Sequence, residues 1–286
     1  MTDVLAKARL ANEHMARARQ WTDPRKERKA NGEREPVLDF LFDYYPYSPS
    51  KLEQWFPGIE TPESSSEHTE FLNKHRRRIT FVIELLQGME TRPAIFNCFG
   101  LHEWAMVYKA PSDAVRHPDP LRLSDTELAE TVDSIGLRCT HIDAFRFFTD
   151  QAAPLNSNSL NIVPTRENQT QLDQKGCLHA NMDLYKYCMW FQPILPGDLV
   201  LDCFELALHT RTLDMQASPY DLSAFGYSPI PIETPEGRAE YVRIQKEISN
   251  QATELRERLL QYLRSAFHLL DQPGLPVSGS ELSQAF

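Results

Sequence analysis

Three segments set ionisable side chains into otherwise apolar, aromatic sequence, where an unpaired polar group is costly. They are Phe99-Gly-Leu-His-Glu-Trp-Ala-Met-Val-Tyr108, His141-Ile-Asp-Ala-Phe-Arg-Phe-Phe148 and Cys177-Leu-His-Ala-Asn-Met-Asp-Leu-Tyr-Lys186. Repeated in this way, such residues point to an interior site. His102, His141 and His179 could converge as metal ligands, with Glu103, Asp143 or Asp183 completing the set; imidazole with carboxylate suits iron or zinc. On a helix His179 and Asp183 stand at i and i+4 and share one face, as do Glu205 and His209, a face that Asp202 extends. Neither an HExxH nor a paired ExxH pattern is present, so the zincin and ferritin-like signatures are not met. The same histidines read, more readily than as ligands, as hydrogen-bonded core or pocket residues.

Two aspartates suit acid–base work. Asp143 and Arg146 sit three apart in an aromatic stretch. They read either as a buried ion pair or as the wall of an anion or base pocket, with Phe145 stacking and Arg146 giving bidentate contacts. In Arg211-Thr-Leu-Asp-Met-Gln-Ala-Ser-Pro-Tyr-Asp221, Asp214 falls at a helix end. A carboxylate there could polarise water or steady an oxocarbenium ion, the demand of N-glycosidic cleavage. Asp221 reads alternatively as a first-turn acid favoured by the helix dipole.

Positioning these groups requires a substantial fold, and 286 residues with 41% hydrophobic and 24% charged content can bury one. No apolar run reaches the length of a membrane span and the N-terminus lacks a secretory signal, which predicts a cytoplasmic protein without membrane partners. The five cysteines are scattered and never form a CxxC pair, so they read as reduced, small buried hydrophobes. A net charge of −10 disfavours nucleic acid unless a local basic patch compensates. Arg25-Lys-Glu-Arg-Lys29 and Lys74-His-Arg-Arg-Arg78 are the two candidates, and both also read as solvated helix faces.

Helical signals dominate, and the predicted fold is mainly α: a multi-helical globular fold with long irregular loops. Residues 3–20 form one helix, with Pro24 near the start of a charged stretch that ends about Ala30. Short buried helices follow over 36–45 and 47–56, the second capped by Ser48, then a longer one over 69–90. Residues 58–67 and 111–120 read as loops, and Ser124 caps a helix through Ile135. The Asn-rich run 154–168 is irregular, and a connection of that length is often functional. Helices over 178–191 and 197–214 precede a long one over 235–271, whose face carries Tyr241, Ile244, Ile248, Leu255, Leu259 and Leu263 at helical spacing. We expect a single helical domain over 1–271, with 1–95 as a candidate N-terminal subdomain and 272–286 as a flexible tail.

Between two helices, Leu195-Pro-Gly197 resembles the hairpin of helix-hairpin-helix glycosylases, although Leu199 stands where that hairpin has its second glycine. Asp214 lies within the interval at which that family's catalytic aspartate follows. More extensively, the chain resembles a bacterial family, common in actinobacteria, labelled 3-methyladenine DNA glycosylase. The resemblance rests on Val37-Leu-Asp-Phe-Leu-Phe-Asp-Tyr-Tyr45, Leu213-Asp-Met-Gln-Ala-Ser-Pro-Tyr-Asp-Leu222, Ile232-Glu-Thr-Pro-Glu-Gly-Arg-Ala-Glu-Tyr241 and blocks around the three histidine segments, and covers about residues 20–265. It implies an N-glycosidic bond hydrolase without a cofactor, acting on a damaged DNA base or a related nucleoside or nucleotide. Asp143, Asp214 and Glu103 are then the candidate catalytic groups. Trp104, Phe145, Arg146, Tyr185, Lys186, Tyr220 and Asp221 are the candidate substrate contacts. The alternative is a metal-dependent enzyme acting on a small molecule, holding iron or zinc with His102, His141, His179 and Asp183.

Overall fold

The computed structural model describes residues 2–59, 66–111 and 118–270. Eleven α-helices and no sheet are present among them: α1 (Thr2–Asn31), α2 (Leu38–Tyr44), α3 (Pro49–Leu52), α4 (Ser66–Thr91), α5 (Leu101–Ala105), α6 (Asp125–Ile135), α7 (Ile142–Phe145), α8 (Gln169–Leu172), α9 (Leu178–Trp190), α10 (Gly197–Gln216) and α11 (Pro235–Leu270). The fold is mainly α, as the sequence predicts. Parts of the predicted loops at 58–67 and 111–120, and the predicted tail, lie outside the described residues.

Local chemistry accounts for several boundaries. Ser124 and Glu127 form a complete capping box at the start of α6, satisfying two backbone donors that the helix itself leaves open. Pro235 opens α11, where a missing N–H costs nothing. One boundary differs: α1 runs unbroken through Pro24, although an interior proline removes a hydrogen bond and costs about 3 kcal/mol. Side-chain pairs on both sides of Pro24 hold that helix to the body. Arg17 reaches Glu205 and Asp202 at 2.6 and 2.7 Å, and Arg28 reaches Asp39 at 2.6 Å.

Helices α9, α10 and α11 form the centre, with α4 against α11 and α1 against α10. Eleven of the thirteen residues of α9 are buried, so its period carries little amphipathic signal. One continuous core joins residues from Ala18 to Ala266. No helix among the described residues is long and apolar enough to cross a membrane.

Candidate functional site at a buried histidine and carboxylate cluster

Two of the three histidine segments enter the core through backbone turns. Phe99 and Gly100 both take positive φ, 48° and 69°, a region that costs a residue with a Cβ about 1–2 kcal/mol. That turn starts α5 with all five of its residues buried, and so carries His102 and Glu103 inward. His141 caps α7, its Nδ1 accepting the Asp143 N–H at 3.2 Å. This bond assigns the imidazole proton to Nε2. His179 comes from the first turn of α9.

The three rings meet. His102 and His179 lie 4.4 Å apart between centroids, edge to face, and His141 and His179 lie 5.5 Å apart. All three line one cavity of about 30 Å³, together with Cys98, Cys139 and Cys177. That volume holds roughly two water molecules. Its more solvent-facing lining includes half-buried Cys98, Cys139 and Phe148 and exposed Arg138. No ring nitrogen of His179 makes a hydrogen bond within the described residues.

Carboxylates back the two outer rings. The His102 Nε2 stands 2.9 Å from Asp214 Oδ1 and 4.0 Å from Glu103 Oε1. Arg211 lies behind them, fully buried, with its Nη1 donating to Glu103 at 2.6 Å and to Asp214 at 2.7 Å. On the other side His141 Nε2 stands 3.4 Å from Asp183 and 3.6 Å from Asp173. Asp183 accepts from Tyr45 Oη at 2.7 Å and pairs with Lys186. Asp143 is held by Arg166, at 3.0 Å through one fork and closer through the other, by Arg146 at 3.3 Å and by Lys186 at 3.6 Å.

Proton affinities follow this layout. Burial lowers the His102 pKa, but the Asp214 carboxylate outweighs it and the net shift is upward. Asp173 and Asp183 do the same for His141. Burial and the flanking His102 push His179 well below the ordinary value, so its ring stays neutral at pH 7. Burial raises Asp173, whereas Lys186 and His141 overcome burial at Asp183 and hold it far below the carboxylate range. Burial drives the Cys139 thiol up to about 12, which leaves it protonated and unreactive.

The candidate residues separate into three groups. His102, Glu103, His141, Asp143, His179, Asp183, Lys186 and Asp214 belong to the linked cluster. Trp104 and Tyr185 are buried core pillars: the Trp104 indole donates to Ala217 O at 2.8 Å, and the Tyr185 ring packs edge-on against Phe204 at 5.1 Å. Neither lines the cavity, and nor do Phe145, Arg146, Tyr220 or Asp221. Phe145 packs on Phe148 at 5.1 Å, and Tyr220 is buried. Asp221 is exposed and caps the Ser223 N–H at 2.9 Å. Three members escaped the candidate set: Arg211, Asp173 and Arg166. Arg166 lies in the Asn-rich run, and its only sequence signal was the length of that connection.

Comparisons with known proteins return no match among family models, curated proteins or solved structures.

Proposed function

We propose that the chain is a hydrolase that activates water in the three-histidine cavity and cleaves the N-glycosidic bond of a nucleotide or nucleoside. The observation that carries this reading is His179. Its imidazole lines a cavity of about two waters' size, makes no hydrogen bond within the described residues, and sits between two rings that each have a carboxylate within 3.4 Å. A base must reach its water directly, and a ring already engaged elsewhere could not.

In the reaction, water adds to the anomeric carbon and gives up a proton to His179. The carbon–nitrogen bond breaks with its electron pair passing to the leaving base, which takes up a proton from solvent, while His179 returns its own proton to solvent. Asp214 and Asp143 act behind the histidines in this scheme: Arg211 holds Oδ2 of Asp214, and Arg166 holds both oxygens of Asp143. The target bond comes from the family resemblance. The size class comes from charge: a net −10 surface repels a polyanion, while Arg138 stands exposed at the cavity mouth without an ion pair among the described residues and suits a single phosphate. A nucleobase exceeds the cavity, so its entry requires the outer lining around Phe148 to part.

Base release from nucleoside monophosphates, free nucleosides and alkylated duplex DNA tests the reading. Release from monophosphates is expected to lead, and His179→Asn should lower kcat by about 10²–10⁴-fold. Arg138→Ala should raise KM and leave kcat in place. Absence of release from all three substrates sinks the proposal, as does full turnover by folded His179→Asn.

A further inference from the structure

We infer that His102, Glu103 and Asp214 form a binding site for one divalent transition-metal ion, manganese, iron or zinc, at the inner wall of the cavity. Among the described residues, one His of α5, its Glu neighbour and one Asp of α10 present ligand atoms that all lie within 4.8 Å of one another. Proximity of acids alone would not make a site. The second observation is the His102 Nε2, on a side chain only 8% exposed. It stands 2.9 Å from Asp214 Oδ1, yet both atoms are buried without a hydrogen-bond partner.

Such an arrangement is unfavourable as it stands, since a buried donor and a buried acceptor each forgo a partner at close range. It is the arrangement expected of two ligands aimed at a common third point. Ligand atoms about 2.1 Å from one ion, and at a right angle, are separated by about 3.0 Å, close to the observed distance. Arg211 strengthens the case. It takes Glu103 Oε1 and Asp214 Oδ2 through one nitrogen, which fixes both carboxylates and turns Asp214 Oδ1 toward His102. Ligating carboxylates are commonly held by an outer hydrogen bond of this kind.

The donor set defines the class of ion. One imidazole with carboxylate oxygens and no thiolate favours borderline and hard divalent cations over copper(I) or an iron–sulfur cluster. It also differs from the ligand set expected from sequence, because Asp183 is already engaged by Tyr45 and Lys186. Three protein ligands leave a position for water, and the adjoining cavity has room for it.

Metal stoichiometry of untagged protein, dialysed separately against manganese, iron(II) and zinc, tests the site. One ion per chain is expected. Glu103→Gln and Asp214→Asn keep shape and should each weaken binding more than about a hundredfold, beyond what an outer-shell loss costs. Asp183→Asn should retain the metal. Where a variant does not fold, electron spin echo modulation of the manganese-loaded wild type serves, with one coordinated imidazole nitrogen expected. The site is overturned by a wild type that keeps none of the three ions. It is equally overturned by undiminished binding in folded Glu103→Gln and Asp214→Asn, by loss in folded Asp183→Asn, or by an echo showing no imidazole or several. The proposed reaction is tested separately: metal bound without base release refutes the reaction alone, and base release by a wild type that keeps none of the three ions refutes the site alone.

Discussion

Arg211 is the residue on which the inner wall depends. It is 1% exposed and faces the carboxylates of Glu103 and Asp214, with its guanidinium carbon 3.8 Å from the centroid of the Phe40 ring. Removing one partner of a buried pair leaves uncompensated charge and costs about 3–5 kcal/mol. Arg211→Met should therefore lower the unfolding free energy read by denaturant titration by about 3–5 kcal/mol, and a loss under about 1 kcal/mol would mean that the carboxylates find other partners. In the segment Arg211–Asp221 the aspartates carry the sequence signal, and the arginine carries none of its own. Its importance depends on Glu103, which lies 108 positions away and has no local trace in the sequence. The cysteines were easier to read: Cys98, Cys139 and Cys177 all have pKa values raised by burial, as befits small apolar side chains.

At the scale of elements, helix starts were legible wherever a side chain closes the turn next to itself. The Ser124–Glu127 box is complete within four residues, so α6 begins where the sequence predicts. Ser124→Ala should cost about 1 kcal/mol, read as a fall in thermal midpoint, and an unchanged midpoint would deny the cap any role. Ser48 shows the limit of the same reasoning. It precedes α3 without forming a side-chain cap bond to that helix. Proline rules failed once, at Pro24, because contacts from α10 and from the segment around Asp39 hold the helix on both sides. Local propensity is a weak prior where tertiary ion pairs oppose it.

For the molecule as a whole, charge pairs outside the cluster predict a pH profile. Burial raises the Glu233 pKa, but the Arg122 guanidinium outweighs it and the net shift is downward. At Glu53, Lys26 and Thr22 overcome burial in the same direction. A carboxyl whose folded pKa is depressed stabilises the fold fully above its unfolded value, here 4.5. That contribution declines as pH falls below this value and is lost once pH passes through the folded pKa. Stability should therefore fall on acidification below about pH 4.5. Glu233→Gln should flatten the profile, which denaturant midpoints from pH 7 to pH 3 would read; an identical slope in the variant would contradict the assignment.

The sequence by itself determined what neighbours along the chain decide. Helical class, the capping box of α6, the long amphipathic α11 and the three polar segments in apolar surroundings all follow from interactions over three or four positions. Tertiary structure alone decided the partners: Asp214 rather than Asp183 beside His102, Arg166 on Asp143, Asp173 behind His141. It also sent Trp104 and Tyr185 into the core instead of the cavity. The physical reason is that close packing chooses which side chains meet across distant helices, and a large aromatic ring gains most where it is fully enclosed.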